Sequence, residues 1–429
     1  MRFFLQKPVG KTASLAAGLV LLTGAVGMGG DSPGNAVGAA DFSADVSVIS
    51  DPGPEFGDEH RLWQGIPSIE RTLGGRLVVA WYSGGPVEGS KENYCLLAVS
   101  DDQGKSWSPP KLVVRGKEGV RTGEPVPWLD PKGRLCFFWN ELHPDKARRG
   151  TWAIRCDNPD SPMMKWSEPR FIGGGIVLGK PLVTRAGDWL EPLDVRNDSP
   201  LAMQTGKSKG GVLVSTDEGT TWQWRGGWTV REEDHDFDEH CIVERDDGSL
   251  FAIIHVKKGL LQSTSSDGGK TWSDPAPCIE GTRSRAHLRR LASGRLLLIY
   301  HDGPPHPGKG KVSYNREMLA AFLSDDQGRT WPWKLMIDAR HPVSYPDATE
   351  GADGRIFVTY DYGRYVTGSK EVLMALMTEA EILAGGTAPP PVLVNRATGF
   401  GNIKETEKVD EENMREKANK QLLEGNPGT

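Results

Sequence analysis

Cysteine is scarce and odd in number. The five residues Cys95, Cys136, Cys156, Cys241 and Cys278 show no paired spacing, which argues against a disulfide framework and against a zinc site. There is no long run of Lys or Arg, and the formal net charge is −6, so a nucleic-acid partner is not expected. Long hydrophobic runs are also missing. The one extended apolar stretch, ASLAAGLVLLTGAVGMGG from Ala13, is interrupted by Gly and Thr and is short for a membrane span. It follows Arg2, Lys7 and Lys11 and precedes small residues up to Ala40. That layout predicts a signal peptide over 1–40, export to the periplasm or the medium, and no membrane partner after cleavage.

What the chain has in abundance is glycine (53), proline (30) and, for its aromatic content, tryptophan (14). Such a composition favours many tight turns over long helices. Four segments repeat one pattern, Ser-x-Asp-x-Gly-x-(Ser/Thr)-Trp: SDDQGKSW from Ser100, STDEGTTW from Ser215, SSDGGKTW from Ser265 and SDDQGRTW from Ser324. Asp can bond nearby backbone N–H groups, Gly can take a positive φ, and Trp can anchor the turn on a packed sheet. Four copies mark an internal repeat, not four active sites.

A second element recurs upstream of these turns, a glycine turn followed by an apolar run of strand length, at Gly75, Gly133, Gly187, Gly248, Gly294 and Gly354. Each unit reads as inner strand, Gly turn, second strand, loop, third strand, Asp-rich turn, outer strand. MKWSEP around Trp166 supplies a degenerate second turn. Six such units at steps of roughly 46 to 61 residues predict an all-β fold, a six-bladed β-propeller of four-stranded antiparallel blades with Asp-box turns, over residues 45–390. In the sixth unit EVLMALMT from Glu371 is expected as third strand, with ADVSVIS near the N-terminus as its fourth. Residues 391–429, rich in charge, are expected to form a solvated tail.

Strand alternation puts both turn types on one face of the disc, so the starts of the inner strands gather on the other. Nine residues before the turn glycines stand Ile66, Glu124, Glu239, Arg285 and Tyr345, with Lys180 in the shorter third unit. Ionisable and phenolic groups at equivalent positions suit a polar, sugar-like and anionic ligand. The ends of the second strands add Asn140, Glu141, His255, His301, Asp302, Asp361 and Arg364 to that face.

With these motifs in place, residues 55 to 385 resemble the sialidase superfamily, six-bladed propellers with Asp-box repeats. The resemblance implies a Tyr nucleophile paired with Glu, an acidic proton donor and three arginines that hold the sialic acid carboxylate. SYPDAT places Tyr345 as nucleophile, with Asp347 beside it as a substrate contact, and DEHCIVERDDG places Glu239 as its partner. YNREMLAAFLSDDQG places Arg316 as one clamp arginine, and SGGPVEGSKENY offers Glu88 or Glu92 as proton donor. The other two clamp arginines fall on Gly65 and His255. The resemblance thus implies a retaining glycosidase that removes a terminal sugar from a glycan or polysaccharide, needs no cofactor or metal, and cleaves simple α-sialosides weakly. Arg285, Lys180 and Arg364 are candidates to compensate. A glycan-binding propeller without catalysis and a polysaccharide lyase using Tyr or His as base, with His240, His255 and His301 available, are the alternatives.

Overall fold

The computed structural model describes residues 44–145, 148–195, 201–202, 210–303, 316–364 and 368–397. The expected signal peptide, and the expected tail from 398 onward, lie outside the described residues. Six antiparallel four-stranded sheets follow one another around a central axis. Blade 1 comprises Gln64–Arg71, Leu77–Ser83, Tyr94–Ser100 and Leu112–Gly116; blade 2 comprises Arg121–Leu129, Leu135–Leu142, Gly150–Cys156 and Arg170–Gly173. Blade 3 is Leu182–Val183, Trp189–Asp194, Gly210–Ser215 and Gln223–Trp228, and blade 4 is His240–Glu244, Leu250–Val256, Gly259–Ser265 and Ala276–Glu280. Blade 5 is His287–Arg290, Leu296–His301, Leu319–Ser324 and Trp333–Asp338, and blade 6 is Val343–Glu350, Arg355–Tyr362, Lys370–Thr378 and Val392–Ala397. The predicted all-β propeller is the fold.

Two edge strands lie elsewhere than the sequence suggested. Val46–Ser50 pairs with Leu112–Gly116 and adds a fifth strand to blade 1. The outer strand of blade 6 is Val392–Ala397, paired with Lys370–Thr378 and running past the expected boundary at 390. A short helix, Glu379–Ala384, intervenes, capped by a reciprocal Thr378–Glu381 box. Gly386–Thr387 then runs parallel to the outer strand of blade 5. This detour hid the last strand. Blade 6 therefore closes on blade 1 with no strand exchanged between them.

The core is divided into six apolar clusters, one between each pair of neighbouring blades. Each repeated tryptophan enters the cluster shared with the preceding blade: Trp107, Trp222, Trp272 and Trp331, with Trp166 doing the same for blade 2. The four Asp-rich turns share one hydrogen-bond pattern. In blade 1, Ser100 Oγ donates to Asp102 Oδ1 at 2.8 Å and accepts from Gly104 N at 2.8 Å. Ser106 then donates to Asp102 through its amide at 2.9 Å and through its hydroxyl at 2.6 Å. Equivalent bonds recur at Asp217, Asp267 and Asp326. The Ser106 hydroxyl is the main reason the Asp102 carboxyl is lowered to about 2. All four carboxylates are spent on their own turns. Blade 1's turn also meets its glycine hairpin, since Arg76 Nε donates to Asp101 at 2.6 Å, so both turn types occupy one face of the disc.

Candidate active site

The other face is shaped by a backbone irregularity that repeats. The inner strands of blades 1, 2 and 6 each carry a bulge, between Gly65 and Ser68, Gly123 and Val126, and Ser344 and Asp347. At each bulge one residue adopts a left-handed conformation: Ile66 (φ 53°), Glu124 (φ 55°) and Tyr345 (φ 53°). Proline follows all three, and at a bulge its missing N–H costs no ladder bond. A β-branched residue at positive φ is strained by about 1–3 kcal/mol, and such strain persists only where neighbours fix it. Here Asp361 fixes two of the three bulges. Its Oδ2 accepts from Ile66 N at 3.0 Å, and its Oδ1 from Ser344 Oγ at 2.6 Å. A bulge re-aims the side chain it carries, and in blade 6 that side chain is Tyr345.

Tyr345 Oη donates to Glu239 Oε1 at 2.9 Å. The second Glu239 oxygen accepts from His255 Nδ1 at 2.8 Å, and His255 Nε2 lies 3.3 Å from Asp236 Oδ2. Asp236 is in turn bonded by Arg283. Burial acts to raise the Glu239 carboxyl, but the His255 bond, the Arg285 charge and the Tyr345 hydroxyl outweigh it and hold the group below its ordinary value. Glu239 is thus a carboxylate at neutral pH, in contact with a phenol. Two guanidinium groups flank the same ring, Arg364 at 4.1 Å and Arg316 at 5.1 Å from its centroid. The centre is closely packed, with Tyr345 only 4% and Glu239 5% exposed.

The two proton-donor candidates part company. Glu88 reaches inward, with Tyr82 Oη donating to it at 3.3 Å and Arg364 Nη1 3.5 Å away. Glu92 lies on the surface, bonded by the Ser90 hydroxyl, which lowers its carboxyl. Glu124 accepts from Asn140 Nδ2 at 2.8 Å, and the same Asn140 ties down Val177 in the approach to blade 3.

Several candidates sit apart from the phenol. His255 stands behind Glu239 as its support. His301 is buried with Nδ1 2.8 Å from Glu317 O, and burial lowers it to about 3, so it is neutral. Asp302 pairs with Lys334 on the outer strand at 2.6 Å. Arg285, Asp347 and Lys180 form a layer deeper in the channel. Asp347, completely buried, accepts from Ser68 Oγ and Ile69 N, and lies 3.0 Å from Lys180 Nζ and 2.8 Å from His287 Nδ1. Burial acts to raise its carboxyl, but Lys180, His287 and Arg285 prevail and hold it well below the ordinary range. Lys180 reaches this depth because the inner strand of blade 3 has only two residues, so the loop before it dips to the axis.

A cavity of about 570 Å3 opens at the opposite mouth among the glycine turns, with Gly75, Lys180, Arg290 and Asp353 in its wall. Three of the cations in its wall are engaged with carboxylates: Arg71 with Asp353, Arg290 with Asp246, Lys180 with Asp347. The bulged Tyr345 and its carboxylate partner lie outside the wall of this cavity. Sequence reasoning missed Asp236 and Arg283, which complete the support of His255. Both lie in loops around blade 4 with no motif to mark them.

Comparison with known proteins agrees with this architecture. The family described as BNR repeat-like domain matches residues 75–358, more than half the chain. The anhydrosialidase of Macrobdella decora is 22% identical over 296 residues, 63% of this chain and 29% of that protein. The chain thus spans less than a third of that relative's length. Among solved structures, a leech intramolecular trans-sialidase complexed with 2,7-anhydro-Neu5Ac superposes with a TM-score of 0.59 at 14% identity, covering 76% of this chain and 69% of that one. A Dyadobacter fermentans protein of unknown function gives 0.58 at 18% identity, covering 79% and 98%. At such identities these structures speak for the fold. The extent of the family match and the six blades with their four Asp-box turns lead to one conclusion: the chain belongs to the BNR repeat-like family and is a sialidase-superfamily propeller.

Proposed function

We propose that the protein is a retaining glycoside hydrolase that removes a terminal sugar from a glycan. The observation that carries this reading is the 2.9 Å bond from the Tyr345 phenol to the buried Glu239 carboxylate. A phenol, with an ordinary pKa near 10, is a poor nucleophile until a base draws off its proton. Glu239 is that base, oriented by His255. Tyr345 Oη attacks the anomeric carbon and passes its proton to Glu239, while Glu88 protonates the departing glycosidic oxygen. The sugar is then bound to Tyr345. In the second step Glu88, now a carboxylate, takes a proton from water; the water oxygen attacks the same carbon, and the phenol leaves with the proton held by Glu239. Two inversions give net retention.

Glu88 suits the donor role because it reaches the Tyr345 surroundings, whereas Glu92 is held ionised on the surface. A lectin has no need of a strained tyrosine bonded to a carboxylate. A lyase with a histidine base would need that ring free to meet substrate, yet His240 is bonded through both ring nitrogens to backbone oxygens and His255 stands between two carboxylates. The basic N-terminus and the apolar stretch from Ala13 support export, which would bring the enzyme to glycans outside the cell. Sialidases and trans-sialidases among the proteins of similar fold support the reaction class.

The decisive experiment is Tyr345→Phe, assayed by sugar release from a panel of aryl glycosides. Loss of the hydroxyl should cost at least about 100-fold in turnover with an unchanged melting temperature. Turnover equal to that of the unaltered enzyme would rule the nucleophile out.

A further inference from the structure

The mouth among the glycine turns carries two polar groups that the fold leaves unanswered. His287 and Arg289 stand two residues apart on the inner strand of blade 5, so their side chains leave the same face of that strand. Both line the cavity of about 570 Å3, a size within the range of small-molecule sites. Arg71, Lys180 and Arg290 in the same wall are each paired with a carboxylate. Arg289 is not. Its side chain forms no ion pair or hydrogen bond with any described residue, although its Nε is shut off from water. Glu350, also in the wall, is turned to Ala292 N, which donates to it at 2.8 Å. A donor kept from water without an acceptor is costly, and in the wall of a cavity it is a group ready to bind an anion.

His287 adds a complementary need. It is only 4% exposed; its Nδ1 lies 2.8 Å from Asp347 Oδ1, and its Nε2 is buried with no hydrogen-bond partner among the described residues. Asp347 is a carboxylate and can only accept, so Nδ1 carries the ring proton. Burial holds the imidazole below its ordinary value despite Asp347, so the ring is neutral and Nε2 presents a lone pair. One strand thus offers a cation without an anion and, beside it, an acceptor without a donor.

We infer that this mouth is a second, non-catalytic binding site for an oxyanion that brings its own hydroxyl, either hydrogenphosphate or the phosphate monoester of a polyol. The phosphoryl oxygens meet the planar fork of Arg289, and a hydroxyl of the same ligand donates to His287 Nε2. Sulfate has the shape and the charge but no proton to give at neutral pH. A neutral polyol has the hydroxyl but leaves Arg289 unanswered. The inference is independent of the hydrolase reading, since neither residue bonds to Tyr345, Glu239 or Glu88.

The test is isothermal titration calorimetry of the whole protein in phosphate-free buffer at pH 7.5, with inorganic phosphate, glycerol 3-phosphate, sulfate and glycerol as probes. One phosphate or one glycerol 3-phosphate per chain is expected, bound about tenfold more tightly than sulfate, the worth of one hydrogen bond to a buried acceptor. The tighter of the two distinguishes free phosphate from an ester. Arg289→Gln should weaken binding about 10- to 100-fold, the range for losing one charge-assisted contact, and Arg289→Lys, a charge without the fork, should fall between. Melting curves establish that both variants fold; added phosphate should raise the melting temperature of the unaltered protein and not that of Arg289→Gln. No saturable binding of either phosphate, sulfate or glycerol bound as tightly as they are, or an unchanged affinity in folded Arg289→Gln would each overturn the proposal. Binding that survives Arg289→Gln but is lost in Arg364→Gln would also overturn it, by placing the anion at the other mouth.

Discussion

The two faces of the propeller are built by opposite strategies. On one, four turns repeat the same serine, aspartate and glycine with the same bonds, and each carboxylate is answered within its own octapeptide. On the other, equivalent inner-strand positions hold Ile66, Glu124, Glu239, Arg285 and Tyr345, with glutamate alone occurring twice. There the groups find partners on other blades: Tyr345 of blade 6 on Glu239 at the start of blade 4, Arg364 at the end of blade 6 beside Glu88 of blade 1. Repetition marks the scaffold, because every blade has the same turn to make. Divergence at a repeated address is what a single asymmetric ligand on the axis would require, since it would present a different group to each blade.

That contrast can be sharpened by perturbing each region in turn. The largest effect on stability is expected at the axis. Asp347→Asn removes the charge facing Lys180, and stranding a buried cation costs about 3–5 kcal/mol in chemical denaturation. Because the folded carboxyl lies below its unfolded value, its contribution is complete above the unfolded pKa and is lost only as pH falls toward the folded one. The deficit of the Asn variant should therefore stay constant from pH 6 to 8 and shrink in acid; a deficit that grows in acid would contradict the assignment.

A second site tests the scaffold against its own rule. Glu191, in the second strand of blade 3, is completely buried, neither side-chain oxygen has a hydrogen-bond partner among the described residues, and burial raises its carboxyl well above the usual range. Glu191→Leu should raise stability at neutral pH by about 1–3 kcal/mol, the cost of an unmade buried hydrogen bond. Since the folded pKa is the higher one, the penalty grows as pH rises above the unfolded value, so the gain should diminish toward pH 4. No gain at pH 7 would point to a partner for this carboxyl.

The repeated turns should respond weakly. Asp326→Ala, on an exposed turn, should cost about 1 kcal/mol or less, read as a small fall in melting temperature with turnover unchanged. The smallest effect belongs to Glu92→Gln, for which turnover within twofold is expected, against a large loss for Glu88→Gln. Equal losses from both would dissolve the distinction between the two carboxylates.

Much of the architecture was legible because strand length and turn chemistry are local. The count of nine residues back from each glycine turn reached the bulge positions of blades 1, 2 and 6, since hairpin geometry fixes that distance. Lys180 escaped the count because the inner strand of blade 3 is two residues long. Asp236 and Arg283 were invisible because their roles come from loops meeting His255, and the close approach of Gly65 to the Arg364 stem because it joins the first blade to the last. The outer strand of blade 6 was missed for a related reason: helix and proline-rich linker intervene, and the short segment VLVN carries no period of its own.

The closure of the ring has a further consequence. Since blades 6 and 1 share no strand, the circle is completed by a seam of side chains: Asp347 against Ser68 and Ile69, Thr349 against Glu70, Arg71 against Asp353, Asp361 against Ile66. Tyr345 and Arg364 belong to one lip of that seam, Gly65 and Glu88 to the other. A molecule that gapes there, with every blade still intact, has Tyr345 and Glu88 on opposite sides of a crack. Under the proposed mechanism, turnover would then be lost on opening of the seam alone, before any sheet comes apart.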